Sequence, residues 1–508
     1  MTVLLGETPL TETELVAIAR DHAPVALAPA SLDRLTAGRA HVDRLASADV
    51  PSYGISTGFG ALATKHIPRE QRAQLQRSLV RSHAASSGTE VETEVIRGMA
   101  LLRLQTMTTG HTGVRRETAL AYAALLNAGI TPVVGEYGSL GCSGDLAPLA
   151  HVALAVMGEG QVRYGGQLVP ASVALSAAGL EPVELAEKEG LALINGTDGM
   201  LAMLMLASYD VGRLLKVADI AAAMSTEALL GTDRTLAADL VGLRPHPGQA
   251  LAAANMRRLL EGSPIVASHR GPEDTRVQDC YSIRCAPQVA GGCRDTLAHV
   301  RLVAEREAAA AIDNPVVIDG RIESNGNFHG APVGYALDFL AIPVADLASI
   351  SERRTDRMLD KSRSDLPAFL AHDPGVDSGL MIAQYTQAGI VSELKRIAAP
   401  ASADSIPSSA MQEDHVSMGW SAGRKLLRAV DGLSRVLAIE VMTAARALDL
   451  RAPLTPATGT GTALAAVREV CDGPGPDRYL SPEIDAVVGL VTSGALVDAV
   501  EAVTGSLE

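Results

Sequence analysis

The residues that most clearly predict a chemical reaction lie in a glycine-rich segment, YGSLGCSGDLAPLAH at 137–151. This segment surrounds the triplet Cys142-Ser143-Gly144. Three evenly spaced glycines precede an apolar stretch, so the backbone there either bends sharply or approaches a ligand closely. A helix-entry turn is one interpretation. A phosphate-binding loop is a second, but the spacing is G-x-x-G-x-x-G rather than G-x-G-x-x-G, and no lysine follows.

The same triplet can also undergo a backbone reaction, which is the third interpretation. In X-Ser-Gly, the glycine nitrogen can attack the carbonyl carbon two residues before it, because glycine has no side chain to obstruct the approach. Loss of water closes a five-membered ring, and a second water lost from the serine leaves an exocyclic methylidene group. Gly144 would supply the nitrogen and Ser143 the leaving hydroxyl, whereas Cys142 takes part through its backbone alone. The triplet therefore predicts an electrophile built from the chain.

The triplet and the run GDLAPLAH that follows it resemble the signature of the aromatic amino acid ammonia-lyases. The resemblance implies that Cys142, Ser143 and Gly144 form 4-methylidene-imidazol-5-one (MIO), the autocatalytic prosthetic group of that family, and that no external cofactor or metal is needed. The family triplet is most often Ala-Ser-Gly. Cys142 is therefore a departure that leaves a thiol beside the ring.

The segment DTRVQDCYSIRCAPQ contains residues that could complete such a reaction. Eliminating ammonia from an amino acid requires an electrophile for the amine, a base for the β-proton and a cation for the carboxylate. Gln278, Tyr281 and Arg284 are three residues apart, so they lie along one side of a helix or tight turn. Arg284 could hold a carboxylate with two hydrogen bonds. The resemblance implies that Tyr281 is the base and Arg284 the carboxylate ligand; a surface arginine beside a half-buried tyrosine is the alternative.

Three further loops contain residues that match the family. Tyr53, in SYGISTGFGALATK, would belong to a mobile lid that brings a second phenol to the site, although a flexible turn is the alternative. Asn195, in LINGTDG, matches an asparagine that contacts MIO and substrate. Phe328, in SNGNFHGAP, matches a residue that lines the pocket beside the ring.

Two residues indicate which amino acid is bound. His83 continues the apolar spacing of Leu75 and Leu79, so one interpretation is a core histidine. For Glu413, one interpretation is a carboxylate that caps the start of its own helix. A carboxylate directed at the substrate ring would instead bind an imidazole N–H and disfavour phenylalanine. The runs SHAA and QEDHVSM resemble histidine-specific, actinobacterial-type members, although Ser86 stands where these more often have glycine. The resemblance therefore implies elimination of ammonia from L-histidine to give trans-urocanate, the first step of histidine degradation.

Long helices are expected to position these residues. Of the 508 residues 47% are hydrophobic but only 3% aromatic, a composition that favours helix packing. Three-four spacing of apolar residues predicts long helices, among them ALDFLAIPVADLASISERRTDRMLDKS, in which Pro343 should kink the helix rather than end it. Strand-like pieces, TPVV, NPVVI and QLVP, are short. We predict an all-α protein with a loop-rich N-terminal domain at 1–200, which bears the triplet, and a long-helix bundle at 201–508.

Charge and cysteine content exclude several classes of protein. The net charge is −15 and no dense run of lysine and arginine occurs, which argues against nucleic-acid binding. Five cysteines without paired spacing argue against a disulfide framework and a zinc site. The N-terminus lacks the features of a signal peptide, and no uninterrupted apolar run reaches the ~18–20 residues of a membrane span. We therefore expect a cytoplasmic protein without a membrane partner.

The resemblance further implies the fumarase/aspartase-like superfamily fold and a homotetramer whose active sites are shared between subunits. Several alternatives remain open. A tyrosine ammonia-lyase or an MIO-dependent 2,3-aminomutase would share the electrophile and differ in the side-chain pocket. A helical scaffold whose triplet never cyclises would lack the electrophile, as would a nucleotide-binding protein.

Overall fold

The computed structural model describes residues 2–47, 54–58, 64–271, 274 and 277–508, which fold predominantly into α-helices, so the predicted all-α class is confirmed. The helices are α1 (Glu12–Ala19), α2 (Pro29–Ala46), α3 (Arg72–His83), α4 (Thr93–Met107), α5 (Arg116–Asn127), α6 (Leu146–Val156), α7 (Ala171–Ala177), α8 (Glu189–Ala192), α9 (Asp198–Ala228), α10 (Ala238–Gly242), α11 (Pro247–Leu259), α12 (Pro264–Ala267), α13 (Tyr281–Arg284), α14 (Ala286–Ala308), α15 (Ala331–Leu359), α16 (Lys361–Ser364), α17 (Met381–Ile397), α18 (Gly419–Asp449), α19 (Thr458–Arg468), α20 (Ser481–Ser493) and α21 (Ala495–Thr504).

The strands are short and lie in the first two thirds of the chain. They are β1 (Val3–Leu5), β2 (Val25–Leu27), β3 (Ser87–Glu90), β4 (Thr131–Pro132), β5 (Gly135–Tyr137), β6 (Gln161–Tyr164), β7 (Gln167–Pro170), β8 (Val316–Ile318) and β9 (Arg321–Glu323). β1 and β2 pair in parallel, with Val3 opposite Val25. The pairs β3–β5 and β8–β9 and the sheet β4–β6–β7 are antiparallel. The predicted strand-like pieces TPVV, NPVVI and QLVP contain β4, β8 and β7.

The chain divides into two compact units, each assembled from three segments. The first unit comprises Met1–Tyr209, Val300–Asp338 and Pro400–Arg424, and the second comprises Asp210–His299, Phe339–Ala399 and Lys425–Glu508. The sequence prediction has one boundary near residue 200. Several long helices contribute residues to both units, so no single cut in the sequence separates them.

Helix α4 forms much of the interior of the first unit. Its residues from Val95 to Met107 are all buried, which is the pattern of a helix enclosed on every side. Two of these buried residues are arginines, Arg97 and Arg103. A buried cation requires hydrogen-bonding partners, so both arginines must be tied to neighbouring segments.

α15 matches the long helix that the sequence predicts for ALDFLAIPVADLASISERRTDRMLDKS. Pro343 lies inside α15 and does not end it, as predicted. α18 has 31 residues and so extends about 46 Å at 1.5 Å per residue. Among the described residues, α15 is long and apolar enough to cross a membrane, as is the bent pair α20 and α21 taken together. In α15, 61% of the apolar window is buried inside the protein, and a core helix passes the same test.

Candidate active site

The Cys142-Ser143-Gly144 triplet lies in the loop between β5 and α6, against the loop that joins α8 to α9. Gly144 has a φ of +76°, and a Cβ atom added there would lie 2.1 Å from the carbonyl oxygen of Gly196. The backbone N–H of Asp145 donates to that same oxygen at 2.7 Å. Only glycine fits at position 144, because any side chain would collide with the backbone of Gly196.

Asn195 links the second loop to the triplet. Its side-chain Nδ2 donates to the backbone oxygen of Ser143 at 2.8 Å, and the residue is 4% exposed. The backbone oxygen of Asn195 accepts from Nη1 of Arg103 at 2.8 Å, while Nη2 donates to the oxygen of Ile312 at 2.6 Å. Arg103 is fully buried in α4 and lies 3.3 Å from the Asp198 carboxylate. A buried cation therefore fixes the backbone from which Asn195 reaches the triplet.

Glu413 brings a carboxylate to the side chains of the triplet. Its Oε2 accepts from the thiol of Cys142 at 3.1 Å, and its Oε1 accepts from the hydroxyl of Ser143 at 3.0 Å. Ser408 donates from its hydroxyl to Oε2 at 2.9 Å, and the two residues exchange backbone hydrogen bonds. Burial and the adjacent carboxylate raise the pKa of the Cys142 thiol to about 12. The thiol is therefore protonated and acts as a hydrogen-bond donor.

His83 ends α3 and lies close enough to Glu413 for their charges to interact. Its Nδ1 bonds to the backbone oxygen of Leu79 at 2.9 Å. Because a carbonyl oxygen only accepts, Nδ1 carries the proton and Nε2 is left as an acceptor. Burial lowers the pKa of His83, an effect that the Leu79 oxygen and the Glu413 carboxylate partly oppose. Two hydrogen-bond acceptors, Nε2 of His83 and the carboxylate of Glu413, therefore belong to the same region.

Asp145 follows the triplet directly and is fully buried. Its Oδ1 accepts from the hydroxyl of Ser139 at 2.8 Å, and its Oδ2 accepts from the backbone N–H of Met200 at 2.8 Å. Burial raises the pKa of Asp145 to about 7, against the lowering effect of these two hydrogen bonds. Since Met200 belongs to α9, this carboxyl group also ties the triplet loop to the segment that carries Asn195.

Phe328 lies half-buried in the turn between β9 and α15. That turn is attached to the triplet loop, because the backbone N–H of Gly330 donates to the oxygen of Gly141 at 2.9 Å. The structure thus places the following predicted site residues in the first unit: His83, Cys142, Ser143, Gly144, Asn195, Phe328 and Glu413.

Gln278, Tyr281 and Arg284 belong to the second unit, where Arg284 contacts the other two. Arg284 donates from Nη1 to Oε1 of Gln278, and its guanidinium carbon lies 5.1 Å from the centre of the Tyr281 ring. Arg284 therefore contacts both Gln278 and Tyr281, at the short helix α13 and in the segment just before it. Tyr281 is 73% exposed. Tyr53 lies outside the described residues.

The family of the chain follows from comparison with known proteins. The model of the aromatic amino acid lyase family matches residues 10–469. The histidine ammonia-lyases of Streptomyces avermitilis and Streptomyces coelicolor are each 61% identical over 510 residues, and the alignments cover 100% of this chain and 99% of each relative. The chain belongs to the aromatic amino acid lyase family. The resemblance to actinobacterial-type members is confirmed.

Solved structures share the fold of this lyase. Histidine ammonia-lyase from Trypanosoma cruzi has a TM-score of 0.91 at 40% identity, and the match covers 99% of this chain and 95% of that one. A tyrosine aminomutase from Streptomyces globisporus has a TM-score of 0.95 at 35% identity, with 100% of both chains covered. The predicted long-helix architecture is therefore that of the ammonia-lyase and aspartase-like helical proteins.

Two residues at the site of this lyase are not found by sequence analysis. Arg103 lies in ALLRLQT, which has no local sign of chemistry, and its partners Asn195 and Ile312 are 92 and 209 positions away. The position of this arginine within an apolar helix could have indicated its role, because a buried cation needs hydrogen-bonding partners. Ser408 lies in a polar loop, SADSIPSSAMQEDH, whose letters do not reveal which serine bonds Glu413.

Proposed function

We propose that this chain is a carbon-nitrogen lyase that eliminates ammonia from L-histidine and releases trans-urocanate, the first step of histidine degradation. The observation that carries the proposal is the placement of Glu413 at the triplet with His83 nearby. An imidazole ring offers an N–H group that these acceptors can bind, whereas a phenyl ring offers none. The 61% identical relatives named histidine ammonia-lyase support the same substrate.

The proposed electrophile is MIO, formed autocatalytically from Cys142, Ser143 and Gly144. The residues fit that group: Gly144 lies where there is no room for a Cβ atom, and Asn195 donates to the Ser143 oxygen that would become the ring carbonyl. When present, MIO supplies an electrophilic carbon that takes up the substrate amine and makes it a better leaving group. The proposal includes no external cofactor and no metal.

Four residues near the triplet bind and orient the substrate in this proposal: His83, Asn195, Phe328 and Glu413. Glu413 accepts the imidazole N–H, and Nε2 of His83 is a second acceptor for the ring. Asn195 stabilises negative charge on the Ser143 oxygen through its 2.8 Å hydrogen bond, as an oxyanion-hole donor does. Phe328 lines the pocket beside the triplet.

Tyr281 and Arg284 act on the β-proton and the carboxylate in this proposal. Tyr281 is the proposed base, and its exposed phenol is accessible to a substrate. Arg284 holds the substrate carboxylate with two hydrogen bonds, and its contact with Gln278 orients the guanidinium group. Tyr53 is proposed to add a second phenol to the site.

We further propose that the chain forms a cytoplasmic homotetramer with shared active sites and has no nucleic-acid or membrane partner. α15 carries exposed apolar side chains at Tyr335, Phe339 and Ile342, and their four-three spacing places them on one helix face. Association of subunits would bury this apolar face. Light scattering on the purified protein tests the homotetramer. The measured mass should be four times that of one chain, and the mass of a single chain would contradict the proposed assembly.

Tyrosine aminomutase is the second candidate function, because the enzyme of that name from Streptomyces globisporus shares the fold over the full length. The phenol of tyrosine also offers a donor, its O–H group, to the acceptors Glu413 and His83, so the reaction product separates the two candidates. A β-amino acid formed from L-tyrosine, with ammonia retained, would favour this candidate over the first.

An ultraviolet time course tests the proposed function. The purified protein is incubated separately with L-histidine, L-tyrosine and L-phenylalanine, with Ser143→Ala as the matched control that keeps the loop but lacks the leaving hydroxyl. Urocanate absorbance should grow with L-histidine alone and be abolished in Ser143→Ala. Coumarate from L-tyrosine would overturn the substrate assignment. Equal activity of Ser143→Ala would overturn the proposed electrophile.

A further inference from the structure

The thiol of Cys142 has a defined partner although ring closure does not need its side chain. It is 6% exposed and donates to Oε2 of Glu413 at 3.1 Å. Its raised pKa keeps the proton on sulfur at neutral pH, so the thiol remains a donor. This chain therefore has a hydrogen-bond donor where an Ala-Ser-Gly triplet has a methyl group.

The two carboxylate oxygens of Glu413 have different partners. Oε2 accepts from the thiol of Cys142 and from the hydroxyl of Ser408, at 3.1 and 2.9 Å. Oε1 accepts from the hydroxyl of Ser143 at 3.0 Å. Formation of the methylidene group removes that hydroxyl, so Oε1 loses its donor. Ring closure consumes neither the Cys142 thiol nor the Ser408 hydroxyl, the two groups that donate to Oε2.

We propose that Cys142 is a positioning residue for substrate recognition: its thiol, with Ser408, holds Oε2 of Glu413 so that Oε1 accepts the imidazole N–H. The inference deepens the proposed function and rests on it. A carboxylate held before binding loses less side-chain freedom when the ring binds, which strengthens binding. The effect is expected mainly on affinity because the proposed role of Glu413 is to bind the substrate ring.

Two substitutions at Cys142 separate the donor from the rest of the side chain. Cys142→Ala removes the donor but leaves the backbone that closes the ring, so its mass should still be lower by two waters. Its KM for L-histidine should rise about threefold to tenfold, within the range of one ordinary hydrogen bond because a thiol is a weak donor, and kcat should change less. Cys142→Ser restores a donor and should recover most of the lost affinity.

The second unit offers a matched control in Cys471. Its thiol donates to Oε2 of Glu483 at 2.9 Å, the residue is 5% exposed, and burial raises its pKa to about 12, as for Cys142. Cys471→Ala therefore removes the same kind of contact at a place that the proposed mechanism does not use. It should lower the Tm about as much as Cys142→Ala and leave the KM for L-histidine unchanged.

The test measures kcat and KM for L-histidine, the intact mass, and the Kd of imidazole by calorimetry, in the wild type and the three variants. A raised KM and Kd in Cys142→Ala, recovery in Cys142→Ser and no change in Cys471→Ala support the proposal. A Kd and KM within about twofold of wild type in a mature Cys142→Ala variant would overturn it. If the wild type forms no urocanate, the proposed function fails, and the imidazole Kd values alone decide the role of Cys142.

Discussion

Replacing Asn195 tests the hydrogen bond from its side-chain amide to the backbone of the triplet. Asn195→Ala removes the amide that donates to the Ser143 oxygen at 2.8 Å, while the Arg103 bond is retained because it uses the backbone of residue 195. Loss of one donor of the oxyanion-hole type lowers kcat by about 10²–10³, which corresponds to about 2.7–4 kcal/mol. Asn195→Asp should lose more, because an ionised carboxylate offers only acceptors to the Ser143 oxygen.

The assay is the rate of urocanate formation at saturating L-histidine, combined with the intact mass to count only molecules that have lost two waters. Asn127→Ala is the control, because that amide also donates to a backbone oxygen, of Val25, at 2.9 Å, and takes no part in the site. The control should keep its kcat. A mature Asn195→Ala variant with a kcat within about tenfold of wild type would refute the role assigned to this amide.

Three further predictions concern the support of the triplet. Arg103→Lys should lower kcat about tenfold, because one ammonium group replaces the guanidinium group that bonds the backbone oxygens of Asn195 and Ile312. The control Arg97→Lys, in the same helix, should lower only the Tm. Equal losses of kcat in the two variants would contradict the role of Arg103. Burial raises the pKa of Asp145 to about 7, so the folded state binds the proton of this carboxyl group more tightly than the unfolded chain does. The free energy of unfolding therefore falls as the pH rises towards 7. Thermal unfolding should therefore show the Tm of Asp145→Asn, relative to wild type, increasing from about pH 5 to about pH 8, and a constant difference would count against it. Gly196→Ala should lower the free energy of unfolding by about 1–3 kcal/mol and reduce the fraction of molecules that have lost two waters, because the added Cβ would lie 2.2 Å from Nη1 of Arg103. An unchanged Tm and an unchanged mass would contradict this steric conflict.

Local sequence reveals those parts of the site whose chemistry is contained in a few adjacent residues. The triplet is such a case, because ring closure depends on the order Ser143-Gly144 alone. His83 and Asn195 lie in short runs, SHAA and LINGTDG, that resemble family segments. The long helix α15 was likewise predictable, because apolar spacing is a local property and continues past Pro343, from Leu340 to Val344.

Contacts between distant segments could not be predicted in the same way. Glu413 and Cys142 are 271 positions apart, and no local pattern shows that their side chains meet. The partners of Arg103 depend on how α4 packs against two loops, which the helix sequence does not contain. The composition of the two units is also a long-range property, because each gathers three segments.

In the proposed function, Cys142, Ser143 and Gly144 become an electrophile that acts on L-histidine. The most direct measurement is the mass of the proteolytic peptide that contains residues 137–151, taken from a wild-type preparation shown to form urocanate. We expect the mass of the wild-type peptide to be lower than its sequence mass by two waters, and we expect no such difference in Ser143→Ala. A wild-type peptide of full sequence mass in an active preparation would contradict it.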